Sequence, residues 1–246
     1  IEVVQPIVEA PVEEPEILPI EEVVTPEEVE LPASEIQESE VVNPLPLLDE
    51  SDSWVQEKLP TLTWRKELLK LIVNDDMISR FVVFTDNFAQ GQLAYEHSPL
   101  VKPKNTFNAN EVKATAESPS SLQWDETSTR RFSLYVDLLR SIDTVTLIQW
   151  YTESKPLIDQ AYDELGYPDA NFTETLQDAI IRILDMEIPK VELELTRPSV
   201  MYKFADDELE SLDDSDKLLL RLGRENLLVI KSILLEINEK LSRVED

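Results

Sequence analysis

The side chains of this sequence that could do chemistry are mainly carboxylates, because other common catalytic residue types are scarce. The 246 residues include 51 Asp and Glu, one His, three Gly and no Cys. Two suitably spaced carboxylates are enough to hydrolyse a glycosidic bond, and the abundance of acidic residues keeps that reaction open. A carboxylate-based hydrolase or binder of cell-wall glycan is therefore one alternative for the function.

The scarce residue types exclude several familiar sites. A zinc quartet needs Cys or several His, and phosphate-cradling loops need closely spaced glycines. A Ser-His-Asp triad would have to use His97, but the sequence has no Gly-x-Ser-x-Gly motif. The acidic runs 206–208 and 213–216 lack the spacing and the central Gly of an EF-hand loop, so we interpret them as helix N-termini. The sequence predicts no metal and no cofactor.

Eight polar residues lie among apolar neighbours in the sequence, where an unpaired buried charge would be costly. They are the candidate ligand- or partner-binding residues: Arg80, Asp86, Asn87, Arg197, Tyr202, Arg221, Glu225 and Asn226. Asp76 and Arg80 are four residues apart on one predicted helix face, which favours an ion pair. Asp86 faces another way, and we predict that it pairs with Arg197. The alternative is a binding site that includes Arg197 and Tyr202.

The spacing of apolar residues after Asn43 predicts a mainly α-helical bundle domain over residues 44–246. We expect one helix to end at Pro60, and separate helices before and after Pro156, because proline disfavours a helix interior. Further helices are predicted from Met77 towards a cap at Gly91, over 132–139, over 173–185, over 213–222, and from 225 to about 244. Alternating apolar residues at 191–195 and 200–204 predict a minor β-hairpin, and a short strand pair is predicted around 107–114.

Residues 1–43 have a different composition from the rest of the chain. Acidic residues and prolines are frequent there, and Lys and Arg are absent. Such a segment buries too little apolar surface to offset its ordering entropy, and its charges repel one another. We predict a disordered, acidic, Pro-rich tether, which either serves as a spacer or is an uninformative leader.

The charge of the chain restricts its partners. The formal net charge is −29, and the densest basic pairs are Lys102 with Lys104 and Arg130 with Arg131. Phosphate backbones and anionic lipid headgroups need a basic patch or stripe. We therefore predict no nucleic-acid partner.

The last predicted helix carries apolar residues at spacings of three and four, from Leu227 to Val244. This pattern is shorter than the three to four heptads that indicate a coiled coil. Leu228, Ile233 and Leu235 widen the apolar stripe, which favours packing inside a bundle. A homo-oligomer formed through this helix is the other alternative.

Four blocks of sequence, in order, resemble a bacterial domain-of-unknown-function family, the one numbered three thousand and fourteen. The blocks lie around Arg80–Gly91, Pro156–Pro168, Arg197–Asp206 and Leu219–Asn226. The resemblance covers roughly residues 45–241. It implies a bacterial source and, upstream of a Pro-rich acidic segment, an N-terminal membrane helix. It implies no activity, so no residue is assigned a catalytic role.

These observations give a functional expectation. We expect a protein of the bacterial cell envelope that is anchored to the inner membrane by a segment upstream of Ile1. Its helical domain would lie in the periplasm and dock on another envelope protein. We favour a non-enzymatic role over an enzymatic one. The glycan hydrolase is the main alternative, and a small-ligand binder that uses Arg197 is a third.

Overall fold

The computed structural model describes residues 45–113, 121–188 and 193–243. The described part of the chain is mainly helical, as predicted, and contains nine α-helices with four short strands. The helices are α1 Ser51–Leu62, α2 Met77–Ala89, α3 Glu126–Thr129, α4 Ser133–Arg140, α5 Thr144–Leu165, α6 Phe172–Asp185, α7 Asp207–Glu210, α8 Asp214–Leu222 and α9 Arg224–Ser242. Short 3₁₀ helices lie at Leu48–Glu50, Lys66–Leu71, Tyr95–His97 and Arg130–Phe132. The tether predicted for residues 1–43 lies outside the described residues.

The main core is built around α2, which packs against α5 and α6. Val82 and Phe172 are completely buried there. The Phe172 ring meets Phe81 at a centroid distance of 5.5 Å and Tyr162 at 5.3 Å, both edge to face. Aromatic pairs in this arrangement contribute beyond their buried area. The aromatic residues of α2 therefore serve packing.

A second aromatic contact joins α1 to α5. The rings of Trp54 and Trp150 stack with centroids 6.2 Å apart and planes inclined by 19°. The Lys58 ammonium group lies 4.7 Å from the centre of the Trp54 ring, and it also forms an ion pair with Glu153 of α5. These contacts attach α1 to the first half of α5.

The predictions that prolines end or begin helices at Pro60 and Pro156 are wrong. α1 continues past Pro60 to Leu62, and α5 is one helix that contains Pro156. Each proline removes one intrahelical hydrogen bond. Ile148 and Tyr151 before Pro156, and Leu157 after it, are all buried in one core cluster. Tertiary packing on both sides of the proline thus outweighs the local preference for a break.

The N-terminus of α2 is capped by another helix. Asp76 occupies the N-cap position, but its side chain accepts no capping hydrogen bond. The Asp52 carboxylate of α1 accepts hydrogen bonds from the amides of Asp76, at 2.9 Å, and Met77, at 2.8 Å. Asp76 itself has a φ of 51°, a left-handed conformation that Asp tolerates better than most residues. The cap is therefore tertiary, and sequence spacing alone could not identify it.

The predicted hairpin is part of one antiparallel sheet, whereas the strand pair predicted around 107–114 is wrong in its partner, because one strand lies there and pairs with residues 121–124. The strands are β1 Ala109–Val112, β2 Ser121–Trp124, β3 Glu194–Thr196 and β4 Lys203–Phe204, in that spatial order. Leu195 pairs with Leu122 on one side and with Phe204 on the other. The predicted hairpin is thus confirmed as β3–β4, although residues 191 and 192 lie outside the described residues. The sheet is larger than predicted because β2 pairs with β3 across about 70 residues of sequence.

The C-terminal helices agree with the predictions. α8 and α9 are separated at Gly223, whose φ of 84° favours glycine. Leu227, Ile237 and Leu241 of α9 are buried, and α9 packs against α4, α5, α6 and α8. Most of the apolar stripe is therefore used inside the molecule, whereas Leu228 and Leu235 lie exposed on its other side.

We predict that Asp52→Ala lowers the free energy of unfolding by about 1–2 kcal/mol, because two amides at the start of α2 lose their acceptor. Urea unfolding of both proteins at neutral pH measures the difference. Asp49→Ala is the matched control, since Asp49 is an exposed carboxylate one turn earlier. Equal losses in the two variants would contradict the tertiary cap.

Candidate functional site

The eight candidate residues fall into separate places in the structure. Arg80, Asp86 and Asn87 lie on α2, whereas Arg197 and Tyr202 flank the turn between β3 and β4. The other three, Arg221, Glu225 and Asn226, lie on α8 and α9. The structure therefore brings only some of them together.

Arg80 holds two loops near the start of α2. Its Nε donates to the carbonyl of Asp75 at 2.7 Å, and one terminal nitrogen donates to the carbonyl of Glu96 at 2.6 Å. Its carboxylate partner is Asp75, at 3.4 Å, so the predicted pair with Asp76 is wrong. The left-handed conformation of Asp76 places that residue outside the regular helix, where the spacing rule for ion pairs does not apply.

Asp86 is buried without the predicted arginine. Its residue surface is 7% exposed, and its carboxylate accepts a hydrogen bond from Gln90 Nε2 at 2.9 Å. Arg197 is exposed on the β3–β4 turn, and Asp86 has no ion-pair partner among the described residues. Burial raises the pKa of Asp86 above its ordinary value, although the Gln90 hydrogen bond opposes this rise. The predicted Asp86–Arg197 ion pair is therefore wrong.

The two asparagines satisfy backbone groups. Asn87 donates to the carbonyl of Val83 within α2, at 2.8 Å. Asn226 donates to Leu222 at 2.9 Å and to Thr129 at 3.2 Å, which links the start of α9 to the end of α3. Glu225 is exposed on the first turn of α9. None of these contacts resembles a ligand site.

Arg197, Tyr202 and Arg221 meet aromatic rings on and beside the sheet. The Arg197 guanidinium lies 5.0 Å from the centre of the Tyr202 ring, and that of Arg221 lies 5.8 Å from the Phe204 ring. Tyr202 packs edge-on against Phe107 at 5.3 Å. We call this group, together with Trp124 and Arg131, the arginine–aromatic cluster. It is the place where the predicted candidates converge.

Arg131 is the member of this cluster that the sequence interpretation missed. Its guanidinium lies 5.3 Å from the centre of the Phe107 ring and 4.6 Å from that of Phe132. Its Nε is buried and has no hydrogen-bond partner among the described residues. Burial, reinforced by the nearby charge of Arg221, lowers the pKa of Arg131. The adjacent basic residues Arg130 and Arg131 could have indicated this site in the sequence. The proximity of Arg221 to Arg131 could not be deduced from residue spacing.

Arg131 also lines a cavity of about 470 Å³ between the segment before β1 and the turns after β2. Lys104 and Arg130 add two further cations to its lining. Asp125 is the one carboxylate among the described lining residues, and hydrogen bonds from Thr127 lower its pKa. The described lining therefore lacks the pair of carboxylates that a glycoside hydrolase requires.

The acidic runs and His97 have local explanations. Asp206 caps α7 by accepting from the amide of Glu208 at 2.8 Å, and Asp216 binds Arg182 of α6 through both carboxylate oxygens, with Asp213 as a further partner. His97 is exposed on its short 3₁₀ helix. One other group, Asp52 with Asp75 and Asp76, holds three carboxylates within 4.8 Å, but both oxygens of Asp52 already accept backbone amides.

A family match covers most of these features. Residues 77–238 match the family described as "Protein of unknown function (DUF3014)". The chain belongs to the DUF3014 family. The match begins at the first residue of α2 and ends within α9, so it contains all eight candidate residues and the arginine–aromatic cluster. No curated protein and no solved structure gives a significant match to the chain.

Among the described residues, none of the helices combines the length and the apolar character that a bilayer crossing requires.

We predict that Asp86→Asn becomes more stable than the unchanged protein as the pH rises above about 4. The folded state holds the Asp86 proton more tightly than the unfolded state, whose aspartates titrate near pH 3.9. The unfolded chain therefore ionises first as the pH rises, and the unchanged protein loses stability that the uncharged Asn retains.

Urea unfolding at a series of pH values measures this difference. Exposed Asp163→Asn is the matched control and should show a smaller dependence on pH. A difference between Asp86→Asn and the unchanged protein that stays constant with pH would contradict a raised pKa for Asp86.

Proposed function

We propose that this DUF3014 protein is a non-enzymatic envelope protein whose helical domain docks on another envelope component. The docking surface is the β3–β4 turn, residues 197–202, which we call the hairpin tip. The observation that carries the proposal is the exposure of two adjacent apolar side chains there, Val200 at 80% and Met201 at 71%. Adjacent apolar residues that remain this exposed are suited to burial by a partner.

The base of the hairpin tip is held by aromatic packing. Tyr202 contacts the Arg197 guanidinium, 5.0 Å from its ring centre, and forms an edge-to-face pair with Phe107 at 5.3 Å. Phe107 in turn packs on Trp124 of β2 at 4.5 Å. A surface held in place before binding loses less entropy when it is covered. Arg, Tyr and Met are also enriched at protein interfaces.

The composition of the hairpin tip indicates the chemistry of the partner. Val200 and Met201 would enter an apolar cleft, and Arg197 would face a carboxylate at its edge. Arg197 forms no ion pair with any described residue of its own chain. The proposed partner is therefore a protein with an apolar cleft bordered by acidic residues.

The hydrolase alternative receives less support. A glycoside hydrolase needs two carboxylates about 5 to 10 Å apart, one of them with a raised pKa. The cavity described above has Asp125 as its single described carboxylate, and the pKa of that group is lowered. Asp86, whose pKa is raised, is a buried residue of α2 and does not line this cavity.

We further propose that the protein is held at the inner membrane by a segment upstream of Ile1, with its domain in the periplasm. Support comes from residues 1–43, whose acidic, Pro-rich composition suits a spacer between a membrane and a domain. The lack of Cys suits an oxidising compartment, where a free thiol is a liability.

We predict that the double variant Val200→Ser/Met201→Ser loses its partner, with affinity reduced by about tenfold or more, as for central apolar contacts of an interface. In-cell cross-linking of the full-length protein, followed by affinity purification and mass spectrometry, measures recovery of the partner.

The matched control is Leu228→Ser/Leu235→Ser on α9, which also removes two exposed apolar side chains, 48% and 60% exposed. It should retain the partner. Loss in the α9 variant alone, together with a change of oligomeric state by light scattering, would overturn the hairpin tip and indicate a homo-oligomer through α9.

For the location, we predict that the full-length protein sediments with inner membranes and is degraded by protease added to spheroplasts. A cytoplasmic protein of the same cells serves as the protected control. Recovery in the soluble fraction, or protection equal to that of the control, would contradict the proposed anchoring and periplasmic placement.

A further inference from the structure

The cavity next to the arginine–aromatic cluster has a charge that contrasts with the rest of the protein. Its described lining contains the cations Lys104, Arg130 and Arg131 and the single carboxylate Asp125, a surplus of two positive charges. The whole chain has a net charge of −29. The described lining is therefore locally cationic on an acidic protein, and such a site attracts anions.

Arg131 lines the cavity and contacts two aromatic rings. Its guanidinium contacts the rings of both Phe107 and Phe132, which favour its position. Its Nε is buried without a hydrogen-bond partner among the described residues, and the charge of Arg221 lies near it. The Arg131 guanidinium thus has no acceptor among the described residues, although the residue lines the cavity. An anion would supply the acceptor and reduce the repulsion between the two arginines.

The remaining lining is suited to a hydroxylated molecule. Asn105 and Thr106 are exposed beside Lys104, and their side chains form no hydrogen bond with another described residue. Ser128 is already committed, since it donates to the carbonyl of Asn108 at 2.9 Å. Amide and hydroxyl groups can both donate and accept, as recognition of sugar hydroxyls requires. The cavity, at about 470 Å³, is also larger than a lone phosphate ion needs and falls within the range of small-ligand sites.

We propose that this cavity binds a small phosphorylated sugar or polyol. The phosphoryl group contacts Arg131 and Lys104, and the hydroxylated part contacts Asn105 and Thr106. A phosphate monoester carries about −1.5 to −2 charges at pH 7, which matches the positive surplus of the lining. Arginine is well suited to phosphate because its planar donors can bind two oxygens at once. This cavity is separate from the proposed docking surface, because the hairpin-tip residues Val200 and Met201 do not line it.

Isothermal titration of the full 246-residue chain with glucose 6-phosphate tests the proposal, with glucose and inorganic phosphate as comparison ligands. We expect glucose 6-phosphate to bind with a Kd below about 1 mM, and glucose to bind at least about tenfold more weakly. Inorganic phosphate should lie between them, because it makes the ionic contacts alone. Equal affinity for inorganic phosphate and glucose 6-phosphate would overturn the sugar assignment, and no binding of either would overturn the site.

Substitutions locate the binding. Arg131→Gln and Lys104→Gln are each expected to weaken glucose 6-phosphate binding by about tenfold or more, as for loss of a charged hydrogen bond. Lys102→Gln is the matched control, because Lys102 is an exposed lysine two residues away that does not line the cavity. Lys104 is also exposed, so its variant should fold even if the Arg131 variant does not. Equal effects of the Lys102 and Lys104 substitutions would show that nonspecific electrostatic attraction causes the binding, and would overturn the site.

Discussion

The burial of Phe172 is the constraint on which the helical core depends. This ring is completely buried at the first residue of α6, between Phe81 of α2 and Tyr162 of α5. Three helices are thereby fixed at one point, and a smaller side chain there would leave a cavity. α6 then carries the attachment of α8, because Arg182 binds Asp216 and Asp213. Ser215 of α8 donates to the carbonyl of Gly91 just after α2, so α8 is tied to both helices.

The arginine–aromatic cluster differs in chemistry from the helical core. Arg80 and Arg182 bind carboxylates or backbone carbonyls, so their donors are used inside the fold. Arg131, Arg197 and Arg221 instead lie over aromatic rings. A ring occupies the face of a guanidinium and leaves its in-plane donors for other acceptors. The cluster therefore concentrates uncommitted guanidinium donors at the sheet, whereas Arg80 and Arg182 use theirs within the described fold.

Sequence patterns predicted those features that depend on neighbouring residues. The helical periodicity, the separation of the last two helices around Gly223 and the β3–β4 pairing are all local, and the structure contains them. The features that were missed depend on residues far apart in sequence. Asp52 caps a helix that begins 25 residues later, and Arg131 lies near enough to Arg221 to be affected by its charge. Pro156 was misjudged for the same reason, since long-range packing holds α5 together.

The stacked pair Trp54 and Trp150 provides the protein with an intrinsic spectroscopic probe. Two indoles held at 6.2 Å and 19° interact as coupled chromophores, which gives the junction of α1 and α5 its own near-ultraviolet circular dichroism signal. Trp64 is 79% exposed, so its indole is in contact with solvent. Trp124 lies in the arginine–aromatic cluster, so its indole reports on the sheet. Emission wavelength and dichroism therefore distinguish loosening of the sheet from separation of α1, without any attached dye.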